Sequence, residues 1–399
     1  MRALTALLPL LAFALASGCD NRERYPNLDD PGDGGGASGD FGDSIDDGGC
    51  TPPPTVVSAC GSETVPVLQQ KPNLYFLVDV SGSMEDTIPP GSRTKMEAAK
   101  ASLRSVVGEL GHRMNYGLSV YPGPDGDALY IGCGTGVEVF ETRAGDPITC
   151  VGEPAKGDVY AAFSKVVAGL DAEGGTPLAA SLASLAPTLQ ALEGPTALVL
   201  LTDGAPNCNA DTVCAVEDCV LNIVGYEWNG GACVPDDAEF NCCDPANGMF
   251  DGMSYCITRE ESIAEVSKLA DAGIPTYVIG VPGVEAYADV MNSLAEAGGT
   301  ARSGSIGYYD ASDTDELTEA LRTIGAAVTQ SCDIELQTQP ADVGRFNVYF
   351  DASPVARDDT DGWSLDGNIV TLHGQACEQL TSGGVNEIQM ISGCITYVN

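Results

Sequence analysis

Between residues 71 and 331, short continuous apolar runs alternate with segments in which apolar residues recur every three or four positions. Leu74-Tyr75-Phe76-Leu77-Val78 ends at Asp79, and Ala197-Leu198-Val199-Leu200-Leu201 runs into Thr202-Asp203-Gly204. Short apolar runs without alternation fit strands covered on both faces, as in a parallel sheet. The first run is followed by Met96, Ala99, Leu103, Val106 and Leu110 at helical spacing. A second helical pattern, Leu178, Leu182, Leu185, Leu189 and Leu192, begins after Thr176-Pro177 and contains Pro187, which predicts a kink. Strands are also predicted at 116–121, 137–140 and 274–281, and helices at 160–170, 263–270, 287–297 and 314–328. The last helix carries a Ser312-x-x-Asp315 capping pattern. Strands alternating with helices in this order predict an α/β fold, a doubly wound and mostly parallel sheet flanked by helices.

The flanks follow other patterns. Residues 332–399 switch to short alternating runs at 333–337, 345–351, 368–372 and 387–391, which predict a small all-β appendage stapled by Cys377 and Cys394. Within it, Asp359, Asp361 and Gly362 have part of the spacing of a calcium loop. Arg357 and Asn368 fill positions where acids are required, so a surface turn is expected. Residues 204–256 form a Cys-rich insert directly after Asp203. Residues 19–70, with DDPGDGGGASGDFGDSIDDGG and then TPPPT, lack apolar periodicity and are expected to be an acidic, self-repelling tether.

The first 18 residues hold one positive charge at Arg2, an apolar run from Ala3 to Ala16, and the small residues Ser17 and Gly18 before Cys19. The run is shorter than the ~18 to 20 residues of a spanning helix and reads as a signal peptide. Small residues placed directly before a cysteine resemble the bacterial lipoprotein signal. That resemblance implies cleavage and lipidation at Cys19 and a location in the bacterial cell envelope, on an outer-membrane, periplasmic or surface face. Plain secretion after cleavage is the alternative.

Composition narrows the partners. With 18 Lys and Arg against 57 Asp and Glu, the net charge is −39, which argues against nucleic acid and anionic lipid surfaces. The membrane is then met only through the lipid anchor. Two histidines leave little for zinc or His-based catalysis. Fifteen cysteines, less Cys19, leave an even number for disulfides in an oxidising compartment. Seven of them crowd into 208–256, but no Cys-x-x-Cys pair or nearby His supports a zinc template. If Cys50 pairs with Cys60 and Cys133 with Cys150, both the insert and the C-terminal segment hold odd numbers, so a bridge between them is expected.

The chemistry concentrates at strand ends. Asp79, Ser81 and Ser83 alternate along the loop after the first apolar run, where ligands bind in open α/β sheets. Gly174-Gly175-Thr176-Pro177 offers a hydroxyl on a flexible loop, although Thr176-Pro177 is also an ordinary helix start. The second apolar run delivers Asp203 to the same edge. Two carboxylates and three hydroxyls, without Cys or His, make a hard-oxygen donor set suited to Mg²⁺, Ca²⁺ or Mn²⁺.

DVSGSM, GGTPL and LLTDG, in this order, resemble the three-part metal-ion-dependent adhesion site of von Willebrand factor type A domains. The resemblance covers about residues 71–331. It implies a cation held by Asp79, Ser81, Ser83, Thr176 and Asp203, Mg²⁺ first among the candidates. Its open position would attract a carboxylate from a partner. The expected function is therefore non-enzymatic adhesion. The alternative is an assembly lipoprotein whose metal only stabilises the fold and whose insert covers the site. An envelope hydrolase is the weaker third reading, since no base, serine elbow or second metal's ligands accompany the site.

Overall fold

The computed structural model describes residues 63–65, 71–88, 90–124, 132–148, 153–208, 213–228, 231–233, 240–247, 252–328, 332–381, 385 and 388–398. The signal segment, Cys19 and most of the expected tether lie outside these residues. So do Cys50, Cys60 and Cys150.

A six-stranded sheet forms the centre. Its strands are β1 (Asn73–Asp79), β2 (Asn115–Tyr121), β3 (Val137–Ala144), β4 (Thr196–Thr202), β5 (Thr276–Gly280) and β6 (Tyr309–Asp310). They lie side by side in the order β3-β2-β1-β4-β5-β6, parallel except for β3, which runs antiparallel to β2 at one edge. Every residue of β1 and β4 is buried, the outcome expected of apolar runs covered on both faces.

The helices divide between the two faces. Leu74, Phe76 and Val78 of β1 pack with Met96, Leu103 and Val106 of α1 (Lys95–Leu110), with Phe163 of α2 (Asp158–Ala168) and with Leu317 and Leu321 on the last helix of the domain, Thr314–Val328. Tyr75 and Leu77 face the other way. They meet Leu182 and Leu185 of α3 (Leu178–Gln190), Val266 and Leu269 of α4 (Arg259–Asp271) and Met291 and Leu294 of α5 (Ala288–Ala297). Each such side chain contributes roughly 1.5–3 kcal/mol of burial free energy, so the two layers fix the sheet's ends firmly.

Local signals set the helix ends. Thr94 and Glu97 form a reciprocal capping box at the start of α1. Thr314–Val328 is capped by Asp313, whose Oδ1 accepts from the amides of Asp315 and Glu316, rather than by Ser312; Ser312 instead donates to the Glu316 carboxylate. Pro187 lies inside α3 without ending it, and the helix begins at Leu178 with Pro177 as its cap residue. Thr176 therefore stays in the loop.

The C-terminal segment builds two small antiparallel sheets on their own core, with Phe346 against Trp363 edge to face. It also carries a helix, Gly374–Thr381, at whose start the Gln375 amide donates to Asp361 Oδ1. The Asp358 carboxylate accepts from the amides of Thr360 and Asp361, so the calcium-like sequence is a surface turn. Glu63–Thr64, which the sequence places in the tether, instead pair with Ile391 and Ser392 of the last strand. Two-residue pairing of this kind has no periodicity to announce it.

The disulfides revise the sequence arithmetic. Cys133 bonds Cys208 rather than Cys150. Cys214–Cys256, Cys219–Cys243 and Cys233–Cys242 close the insert, and Cys332–Cys377 staples the C-terminal segment. All seven insert cysteines are thereby used, so the expected bridge from insert to C-terminal segment does not form. Cys133 leaves its sequence neighbour Cys150 because the fold brings it beside a residue 75 positions away.

Candidate functional site

The site lies where β1 and β4 run side by side and the crossovers from β1 and from β4 turn opposite ways. This is the switch point at which open α/β sheets bind ligands. Asp79 is the last residue of β1 and Asp203 follows the last residue of β4. Both are buried, at 0% and 3% exposure.

Their partners form a connected network. Asp79 Oδ1 accepts from the Ser81 amide at 2.8 Å, and its Oδ2 accepts from the Thr202 hydroxyl at 2.6 Å. Ser81 Oγ lies 3.2 Å from Ser83 Oγ, and Ser83 Oγ donates to Asp203 Oδ1 at 2.8 Å. The first loop is held for this by a short 3-10 turn, Gly82–Glu85, whose Met84 is buried in the core beneath it.

The second loop is joined through the backbone. The Gly82 amide donates to Gly174 O at 2.9 Å, and the Glu173 amide to Val80 O at 2.7 Å. Thr176, only 5% exposed, is tied to the third loop: its amide donates to Asn207 Oδ1 and its carbonyl accepts from the Asn207 amide. Gly175 packs against the Cys133–Cys208 bridge so closely that an added Cβ would lie 2.6 Å from Cys208 Sγ. The bridge therefore clamps the second loop to the base of the insert.

Four of the five residues expected from the sequence, Asp79, Ser81, Ser83 and Asp203, share one hydrogen-bonded cluster. The fifth, Thr176, borders it on the adjacent loop. Ser83 is exposed while the other four are buried, so the cluster opens to solvent on the side of Ser83 and the acidic rim residues Glu85 and Asp86.

Electrostatics make the cluster an unusual one. Burial, and then the nearby charge of Asp203, push the Asp79 carboxyl up to about 7 against hydrogen bonds from Ser81 and Thr202 that oppose the shift. Tyr121, fully buried and paired in register with Asp79, has its phenol raised well above the usual range by burial and then by Asp79's charge. Asp79, raised by burial and by its carboxylate neighbour, is short of positive charge, and an oxygen-seeking divalent cation is the chemical species that fits such a donor set. Asp79, Ser81, Ser83, Thr176 and Asp203 are the residues available to hold it.

No protein-family model matches the chain, and no curated protein matches it. Among solved structures, the pilus adhesin SpaC from Lactobacillus rhamnosus GG is similar at 17% identity and TM-score 0.43, over 81% of this chain and 39% of that one. The chain thus spans about two fifths of SpaC. The vWF domain of the type V pili tip protein Mfa5 from Porphyromonas gingivalis is similar at 13% identity and TM-score 0.40, over 66% of this chain and 95% of that one. A von Willebrand factor type A protein from Catenulispora acidiphila is similar at 15% identity and TM-score 0.33, over 88% and 66% of the two chains.

Three further residues belong to the site that sequence patterns did not single out. Thr202 holds Asp79, and Asn207 holds Thr176. Lys95 Nζ donates to Asp203 Oδ2 at 2.8 Å, from a side chain only 8% exposed. Lys95 left one legible trace. It is the first residue of α1, and a helix N-terminus disfavours cations.

Proposed function

We propose that this protein is a non-enzymatic binding or adhesion lipoprotein of the bacterial cell envelope. It is anchored through Cys19 and engages a carboxylate of a partner through a divalent cation, Mg²⁺ foremost, with Ca²⁺ or Mn²⁺ as substitutes. The cation is held among Asp79, Ser81, Ser83, Thr176 and Asp203.

The observation that carries the proposal is the pair of buried carboxylates linked through Ser81 and Ser83, with Ser83 itself exposed. Neutral hydroxyls leave a bound divalent cation under-neutralised, so an anionic oxygen from outside completes its shell. Asp79 and Asp203 supply charge, the serines and Thr176 supply neutral oxygens, and Thr202 and the Ser81 amide orient Asp79. When bound, the cation supplies the attraction for an acidic group that a chain of net charge −39 otherwise repels.

A second reading makes the cation a structural element of an assembly lipoprotein. Burial of four of the five donors favours it. A pull-down from envelope extract with Mg²⁺ and with EDTA separates the two. The binding reading expects partner capture that EDTA and Asp79→Ala both abolish. Capture unaffected by EDTA contradicts it.

A further inference from the structure

Each oxygen of the Asp203 carboxylate already accepts one hydrogen bond within the protein. Its Oδ1 accepts from Ser83 and its Oδ2 from Lys95. The ammonium has one other carboxylate partner, Asp86 Oδ2 at 3.5 Å, on a side chain 70% exposed. Lys95 is thus committed to a buried carboxylate on one side and reaches the solvent-facing rim on the other.

The fold makes room for this arrangement. Gly283, at φ +117°, passes directly over the ammonium. A Cβ there would lie 2.8 Å from Lys95 Nζ and 3.4 Å from the Asp203 carbonyl oxygen. The capping box of Thr94 and Glu97 fixes the first turn of α1, and so fixes where the Lys95 side chain starts. Position, burial and space all serve one contact between residues 108 positions apart.

We propose that Lys95 is a resident counter-cation of the site. It holds Asp203 in a fixed orientation and cancels one of the two carboxylate charges, so that a divalent cation binds less tightly and retains a net positive charge toward its partner. This rests on the metal-binding reading above. Counting only the buried groups, two carboxylates and one ammonium sum to −1, and a divalent cation raises that sum to +1. Without Lys95 the same site would be neutral when loaded. Lys95 is a positioning residue, acting on the cation through Asp203 and through its charge.

The test is isothermal titration of the chelator-stripped full chain with Mg²⁺, comparing wild type with Lys95→Met, Lys95→Gln and Lys95→Arg. Even with the full screening of bulk water, removing one charge this close to a divalent cation predicts at least about a tenfold tighter Mg²⁺ dissociation constant for Met and Gln. Arg, which keeps the charge, is expected to restore the wild-type value. The melting temperature of the Met variant falls in EDTA, and its upward shift on adding Mg²⁺ exceeds that of wild type. Gln retains a donor to Asp203 and carries the test if Met does not fold. A wild type that binds Mg²⁺ beside folded Met and Gln variants of equal or weaker affinity overturns the proposal and leaves the metal reading standing. Equal losses of stability with and without Mg²⁺ reduce Lys95 to a structural role and likewise overturn it. No binding by any of the proteins removes both readings.

Discussion

Two regions of this molecule are dense in groups that can ligate metals, and they solve opposite problems. In the insert, the sulfurs of Cys214, Cys243 and Cys256 lie within 4.8 Å of one another, a geometry that by distance alone suits a soft metal. Each is half of a disulfide, hence neutral and without a lone thiolate to offer. The cluster is packed around Cys219, Leu221, Cys233 and Cys242, a small core made largely of sulfur. At the strand ends, Asp79 and Asp203 are equally buried, yet they bring charge that the surrounding hydroxyls and one ammonium only partly offset. Proximity of ligand atoms is shared by both. What separates a cross-link from a cation site is the charge left over once internal partners are counted.

The largest effect expected from this contrast follows Asp79→Ala. Losing the fully buried carboxylate should abolish Mg²⁺-dependent partner capture, a reduction of about 100-fold or more given that hydrogen-bonded charges are the strongest contacts available. A variant that still captures the partner in Mg²⁺ and loses it in EDTA would place the cation elsewhere.

Next comes the insert. Cys219→Ser with Cys243→Ser removes one bridge, and about 3 kcal/mol of stability is expected to go with it, read as a lower urea midpoint. Mg²⁺ affinity should remain within a few-fold of wild type, because that bridge belongs to the insert's own core. If affinity collapses along with stability, the two regions are one unit and the contrast fails.

Thr202→Val leaves the shape of the strand end but takes the hydroxyl from Asp79. A buried acceptor left short of one donor costs about 1–3 kcal/mol, which urea titration in EDTA would register. The loss should shrink in Mg²⁺. An identical loss in both conditions would mean that Asp79 does not face the cation.

Stability is also expected to depend on pH. The folded carboxyl of Asp79 is raised to about 7, while in the unfolded chain it returns to about 4, so between these values the folded state holds the extra proton. Stability in EDTA should therefore decline as pH rises through that window, and saturating Mg²⁺ should flatten or reverse the slope. Urea midpoints at several pH values decide it. A rising slope in EDTA would contradict a raised carboxyl at Asp79.

The readable part of this structure was whatever left a local trace. The unbroken run from Leu74 to Val78 announces a doubly covered strand because burial on both faces leaves no polar alternation, and Asp79 ends it where a parallel sheet presents its ligands. Ser81 and Ser83 are legible because alternation along a loop places them together. Lys95 and Asp203 pair across 108 residues, and Cys133 and Cys208 across 75, so neither contact has a sequence pattern to betray it. The helix Gly374–Thr381 interrupts a segment whose alternating runs indicated strands only, and it is short enough to hide between them. Glu63–Thr64 form an edge strand only because the last strand of the chain is there to meet them.

The buried carboxylates of Asp79 and Asp203 are proposed above all to hold a divalent cation. Isothermal titration of the chelator-stripped chain with Mg²⁺, beside Asp79→Asn, tests it most directly. Saturable binding of a single cation by the wild type is expected, and its loss in the variant, with both proteins folded by circular dichroism. Absence of saturable binding by the wild type, or equal binding by Asp79→Asn, would contradict it.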